Sequence, residues 1–396
     1  MLKDILIVAP FVALPGEPLF NRFLYLAQMW ATEFRVTLVT SRFSFALKRQ
    51  RDVNDERWRA LPFKLVMLEE PGYRKNVSFA RVLSHKRFVE QLRAWLARRE
   101  ADWTHDLVFS AYPLIATNLV LAKLKRRLGF RLIIDVQDVW PESIAAVFPF
   151  LGKHRWPMWP LTLKANRAYQ SADGLVAVSE TYLARARRTC PEVPGLSVFI
   201  GSDRQMTDAI PATPLPPGRF RLIYLGTLSH SYDISTLIRG VRQLRQHHPE
   251  LELHILGDST NMPRIRDECG DGIFYHGLLP YDQMVAFAKS CDLAVNPIVE
   301  SGLQSVTNKI SDYFTLGLPI LSSQRNPEAA ELIRRGGGEK YDAGSVPSFC
   351  EGLSRILRKD LQEVKKQTRQ IGTEFFDRQR TYPRITSFVR DICDRK

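Results

Sequence analysis

Short apolar runs alternate with helix-length segments along the whole chain. In the first half DILIVAP, RVTLVTS, KLVMLEE, HDLVFSA, RLIIDVQ, GLVAVSE and LSVFIGS read as strands, and in the second RLIYLGT, LELHILG, IFYHGL, DLAVNPI and LPILSS do so. Many of these runs are apolar at successive positions instead of alternating, as strands covered on both faces are. The pattern predicts an α/β chain with two doubly wound, Rossmann-like parallel sheets. In such sheets ligands bind outside the carboxyl ends of the strands, and for two domains joined by a linker the natural site is the cleft between them.

The stretch MTDAIPATPLPPGRFR carries four prolines and a glycine between Pro211 and Gly218, a composition suited to a stiff linker. The expected organisation is a first domain over residues 1–205, a linker over 206–220, a second domain over 221–372, and a terminal segment, 373–396, whose helix crosses back to the first domain.

With 396 residues, 45% of them hydrophobic, the chain can fill two cores, which excludes disordered and fibrous classes. The five cysteines stand singly, without metal-ligand spacing, and read as reduced residues of a cytosolic protein. The N-terminal MLKDILIVAPFVALPG is better explained as a core strand than as a signal peptide, and no uncharged apolar stretch approaches the roughly 20 residues of a membrane span.

The net charge of +14 is unevenly placed: residues 1–205 hold 31 Lys+Arg against 19 Asp+Glu, and the remainder 25 against 23. The first half therefore faces whatever anion the charge serves, unless the surface is merely solvated. Residues 42–99 alone carry 15 basic side chains. Their helical segment FARVLSHKRFVEQLRAWLARRE sets Phe79, Leu83, Phe88, Leu92, Trp95 and Leu96 near one face. Such a helix suits ordinary packing or a membrane surface. The cations follow no nucleic-acid-binding pattern, so no nucleic-acid partner is expected.

Candidate chemistry lies at the strand ends of the second half. Gly226 and Thr227, Gly257 and Asp258, and Glu300 and Gly302 each follow a strand, where glycine lets a backbone approach a ligand. The next helix, in TNKISDYFTLGLPILSS, starts with Asn308 and Lys309, with Asp312 one turn on. Its unpaired N–H groups and the Lys309 charge would hold a diphosphate, and Asp312 could accept from ribose hydroxyls. The plainer reading is an Asn308 N-cap with a Lys309–Asp312 surface pair. In the first half Asp138 ends a strand and is followed by Trp140, Pro141 and Glu142; it is expected to orient an acceptor hydroxyl or the transferred sugar, or else to cap a helix. Gly16, in a Pro-Gly turn, would let its loop approach donor or acceptor.

The series GLVAVSE, SVFIGSD, IYLGTL, LELHILGDS, IFYHGLLPYDQMVAFAKSCDLAVNP and NKISDYFTLGLPIL resembles the retaining nucleotide-sugar glycosyltransferases of family 4, which have the GT-B fold. IIDVQDVWPES is similar to the Asp-x-Trp-Pro-Glu-Ser signature of the bacterial branch that builds O-antigen, capsule and related glycans. The resemblance implies that Asp312 binds the donor ribose, that Glu300 and Gly302 face its sugar or phosphates, and that Asn308 and Lys309 stabilise the leaving diphosphate. An Arg and a Lys common in the family would fall at Thr227 and Tyr232; both are missing, and Lys309 is expected to take their role. Of the Glu-x7-Glu motif, Asp312 aligns with the second carboxylate, and either Glu300 or Gln304 with the first. No Asp-x-Asp pair is present, so no metal cofactor is expected. Catalytic roles fall to Asp138, Glu300 and Lys309, and acceptor contacts to Trp140 and Glu142.

After Trp140, FPFLGKHRWPMWPLTLKANRAY sets aromatics, Trp156 and Trp159 among them, between Lys153, Arg155 and Lys164. That composition suits a bilayer interface or a loop plugging the core. The expected protein is a peripheral enzyme on the cytosolic face of an anionic membrane, with a nucleotide-sugar donor and a polyprenyl-diphosphate-linked glycan acceptor. A nucleotide-sugar 2-epimerase and a non-catalytic nucleotide-sugar-binding protein are the alternatives.

Overall fold

The computed structural model describes residues 3–18, 20–76, 78–143, 158–229, 231–258, 263–302 and 304–394. The chain forms two compact units, one of residues 1–198 with 382–396 and one of residues 199–381. The boundaries thus lie at 198/199 and 381/382, and the proline-rich run Pro211–Gly218 belongs to the second unit.

The first unit holds strands β1 (Asp4–Val8), β2 (Arg35–Ser41), β5 (Lys64–Leu68), β6 (Leu107–Tyr112), β7 (Arg131–Val136), β8 (Gly174–Ala177) and β9 (Gly195–Ser197), with a small ribbon of β3 (Phe43–Ser44) and β4 (Arg49–Gln50). The seven-stranded sheet has the order β5-β2-β1-β6-β7-β8-β9, and every pairing is parallel. β1 and β6 are buried at every position, as two-sided cover requires. The expected strand LSVFIGS is only three residues long, because the chain leaves the first unit at Val198. Tyr382 and the helix Pro383–Asp394 pack on this sheet through Ile385, Val389 and Ile392, beside Ile5, Ile7, Phe109 and Ile133. Each such aliphatic side chain contributes roughly 1.5 to 3 kcal/mol on burial.

Helix Phe79–Arg98 starts where the Ser78 hydroxyl accepts from the Arg81 N–H. Phe88, Leu92, Trp95 and Leu96 enter the core. Phe79 and Leu83 do not: they are 83% and 51% exposed, and neighbouring Val82 is 62% exposed. The helix meets the core only from Ser84 onward, so its first turns project an apolar surface.

The second unit holds β10 (Phe220–Leu225), β11 (Leu251–Leu256), β12 (Ile273–Gly277), β13 (Leu293–Asn296), β14 (Ile320–Ser322) and β15 (Glu339–Lys340) in the order β12-β11-β10-β13-β14-β15. These pairings are also parallel. β15 has two polar residues and no apolar run, which is why the hydrophobic pattern passes over it. The strand order reverses between β1 and β6 in one sheet and between β10 and β13 in the other. Those switch points are where an open α/β sheet leaves a crevice for a ligand. No helix among the described residues is long and apolar enough to cross a membrane.

Candidate active site

At the second unit's switch point, β10 ends in Gly226 (φ +122°) and neighbouring β11 in Gly257 (φ +153°). A Cβ on Gly257 would lie 1.9 Å from the Gly226 carbonyl oxygen, so only glycine permits these strand ends to approach. The Leu228 N–H donates to the Asp258 carbonyl at 2.8 Å, joining the two loops. Tyr275 Oη donates to the Gly257 carbonyl at 2.9 Å.

Beyond β13 the chain reaches helix Asn308–Leu316, closed by Gly317 in the left-handed conformation. Its N-cap is Thr307, not Asn308 as the sequence suggests. Asn308 is already helical and exposed, and Thr307 makes no capping bond with its side chain. The Thr307 hydroxyl is buried without a partner among the described residues. The N–H groups of Ile310 and Ser311 find the Thr307 carbonyl at 3.0 and 3.3 Å, while those of Asn308 and Lys309 have no acceptor among the described residues.

Lys309 forms no surface pair with Asp312. Its Nζ donates to Tyr224 Oη at 3.1 Å and lies 4.3 Å from the centroid of the Tyr224 ring and 3.6 Å from that of Tyr232. Tyr224 Oη in turn donates to the Thr227 carbonyl at 2.9 Å, leaving the Thr227 side chain to solvent. A Cβ on Gly226 would stand 3.2 Å from the ammonium. Among the described residues no carboxylate pairs with Lys309, and its enclosure holds its pKa well below the usual lysine value. A side chain with no carboxylate partner among the described residues therefore runs from the start of its helix to a glycine strand end.

Asp312 Oδ1 accepts from Ser202 Oγ at 2.5 Å and Tyr281 Oη at 3.1 Å. Burial raises its pKa, against those two bonds and the nearby Arg378. Glu300 is 65% exposed in its side chain and pairs with Arg325 at 2.5 Å. Gly302 closes a turn onto the Val299 carbonyl at 2.9 Å, where a Cβ would meet Ile298 and Gln304. Gln304 keeps its side-chain oxygen buried and without a partner among the described residues.

In the first unit Asp138 follows β7. Its Oδ1 accepts from the Val139 N–H at 2.8 Å and from the Ser143 hydroxyl, and its Oδ2 from Trp140 Nε1 at 3.0 Å. The carboxylate thus ties down the loop 138–143, and it also lines a cavity of about 1050 Å³. Trp140 lines the same cavity. Glu142 is held by an ion pair with Arg185, which also donates to Asn166 at 3.1 Å. Gly16 (φ +83°) sits in a turn overlaid by Arg57 and anchored by the buried pair Arg51–Glu17 at 2.7 Å. Trp159 is 64% exposed; Trp156 lies outside the described residues.

Tyr224, one wall of the Lys309 enclosure, escapes sequence reasoning because it reads as a core residue of an apolar strand. Among the described residues no three His, Cys, Asp or Glu side chains come close enough to hold a metal.

Residues 219–359 match the family model of the glycosyl transferases group 1. Solved structures share the whole architecture. Sucrose-phosphate synthase from Thermosynechococcus elongatus superposes with a TM-score of 0.71 at 14% identity over 98% of this chain and 99% of that one. Anabaena HepE, in complex with UDP-glucose, gives 0.65 at 14% over 98% and 99%. The lipopolysaccharide outer core galactosyltransferase WaaB gives 0.62 at 15% over 98% and 100%. At such identities the likeness is one of fold, and the fold is GT-B. Fold and domain together support a glycosyltransferase. A shorter match runs to argininosuccinate lyases, 34% identical over 118 residues for the Campylobacter jejuni subsp. doylei protein; the chain spans about 25% of the length of that relative and 30% of itself is covered.

Proposed function

We propose that the protein is a retaining, metal-independent glycosyltransferase of family 4 that moves a sugar from a nucleoside diphosphate to a polyprenyl-diphosphate-linked glycan, in the synthesis of a bacterial surface polysaccharide. The observation that carries this reading is Lys309: an ammonium without a carboxylate partner among the described residues, beside Gly226 and the start of its helix, which has no side-chain cap, at the switch point of the matched domain.

A retaining transfer passes through an oxocarbenium-like state in which negative charge builds on the departing diphosphate. Lys309 and the first N–H groups of its helix face that charge, and one preorganised donor is worth roughly 3 kcal/mol. A cation that the protein leaves unneutralised gains most when the anion arrives. In this reading Asp312 takes the donor ribose, Asn308 the diphosphate, and Glu300 with Gly302 the sugar side. Asp138 orients the acceptor, and the exposed Trp159 and basic first unit rest on the cytosolic face of an anionic membrane.

The test is a thermal-shift panel of UDP, GDP, dTDP and ADP, with and without magnesium, on wild type and Lys309→Ala. Stabilisation by one nucleotide, independent of magnesium and diminished in the variant, is expected. If none of them stabilises the protein, the reading falls. Incubation with the matching nucleotide sugar and no acceptor separates the epimerase, which would release an epimerised sugar.

A further inference from the structure

Resting on the acceptor class just proposed, we infer that the cavity between Arg81, Trp140 and Asp138 in the first unit binds the lipid diphosphate of the acceptor, with Arg81 holding the diphosphate and Phe79, Val82 and Leu161 the first part of the lipid chain.

Arg81 is placed for an anion. Its Nη1 donates to the Asn76 carbonyl at 2.7 Å, while its Nε is buried with no acceptor among the described residues. Its guanidinium carbon lies 5.6 Å from the centroid of the Tyr73 ring, 5.8 Å from that of Trp140 and 6.0 Å from that of Phe11. Among the described residues no carboxylate pairs with it. Lys48 adds a second cation nearby, 4.5 Å from the centroid of Tyr73 and bonded to Asn76 Oδ1 at 2.6 Å. Burial and Arg81 both lower the Lys48 pKa, a repulsion that a bound anion would relieve. His85 contributes no charge, because burial and then Arg81 push its pKa down to about 4.

The two acids of the cavity are occupied: Glu90 pairs with Arg87 at 3.3 Å, and Asp138 accepts from Val139, Trp140 and Ser143. Neither competes for Arg81. Lys86 and Arg93 add positive charge to the lining, and Phe79 and Val82 on the projecting helix turns join Leu114, Ile115 and Leu161 as its apolar part. A free phosphate would use only the cation, and a plain lipid only the wall. A diphosphate on an isoprenyl chain uses both, and the volume of about 1050 Å³ accommodates its head and first units. Asp138 lines the same cavity, which sets an acceptor hydroxyl carried by that diphosphate beside the carboxylate.

The probe is farnesyl diphosphate, titrated into the full chain by calorimetry, with farnesol and inorganic diphosphate as separate arms. Farnesyl diphosphate should bind at least roughly tenfold more tightly than either. Arg81→Gln should weaken it about tenfold and Val82→Glu, at an exposed position, should do likewise. Lys309→Ala should leave it unchanged. Equal binding of inorganic diphosphate would reveal a free-phosphate site and overturn the inference. Unaltered affinity in Arg81→Gln and Val82→Glu, or loss in Lys309→Ala, would overturn it as well. Nucleotide stabilisation is read on the same samples: its absence sinks the donor assignment alone, whereas its persistence without farnesyl diphosphate binding sinks this one alone.

Discussion

The ammonium of Lys309 lies 3.6 Å from the centroid of the Tyr232 ring, at the position where the resemblance leads one to look for a second lysine. An aromatic face stabilises a cation without cancelling its charge, so Tyr232 holds Lys309 in place and leaves it available to a diphosphate. Tyr232→Leu should therefore lower nucleotide affinity by roughly threefold to tenfold, the loss expected of a partly desolvated cation–π contact. Calorimetry of wild type and variant with the stabilising nucleotide reads this directly, and unchanged affinity would separate Tyr232 from the site.

A lysine whose pKa is lowered in the folded protein is more protonated in the unfolded chain, between its folded pKa and its ordinary value. Lys309 should then contribute stability to the ligand-free protein that rises with pH through that window, and Lys309→Met should remove this share of the slope and raise Tm by a few degrees. A bound diphosphate should raise the Lys309 pKa again, so that binding takes up protons at a pH between the ligand-free and ligand-bound values. Titrations in two buffers of different ionisation enthalpy measure that uptake, and a heat independent of buffer would contradict it.

Gly257→Ala should cost on the order of 3 kcal/mol or more, because the new methyl would collide with the Gly226 carbonyl at a φ that side chains rarely adopt. Denaturant unfolding gives the loss. Gly129→Ala makes the control: it shares a positive φ but has nothing within 4 Å of a Cβ, so it should cost less.

Burial and then the neighbouring His276 lower the pKa of His254 to about 4, with Glu252 opposing and Arg221 reinforcing the shift. Its Nδ1 stands 3.0 Å from His276 Nε2. Neutral when folded and charged when unfolded below its ordinary 6.5, it removes stability as pH falls from about 6.5 towards about 4. His254→Phe should flatten part of the Tm-against-pH curve there, leaving the share of His85, His105 and His276, whose pKa values are also lowered.

Asp138→Asn keeps the shape of the side chain but replaces one acceptor oxygen by an NH2 group. The loop 138–143 should loosen, and turnover should fall by about tenfold or more while nucleotide affinity stays near wild type. Steady-state kinetics beside calorimetry would check this; unchanged turnover removes Asp138 from the reaction.

The strands were legible because two-sided burial leaves unbroken apolar runs such as LIYL and LII, and the parallel order followed from helix-length spacing. The site was legible only in part. Gly226 and Gly257, singled out after their strands, and Lys309, singled out at its helix start, lie together. Tyr224 could not be read as a site wall, since an aromatic in a buried run looks like core until the switch point shows which way it faces. Asn308 looked like a cap because its side chain suits one, yet the backbone enters the helix at Thr307. Phe79 and Leu83 fitted the packed face by periodicity, which records the angle around a helix and not how far the underlying sheet extends.

The return of Tyr382 and helix Pro383–Asp394 to the first unit gives synthesis an order. Residues 199–381 are contiguous and complete a core as they leave the ribosome. The amino-terminal sheet, although translated first, keeps Ile5, Ile7, Phe109 and Ile133 without the carboxy-terminal part of their cover until residue 392 emerges. The half of the chain made first is the half finished last.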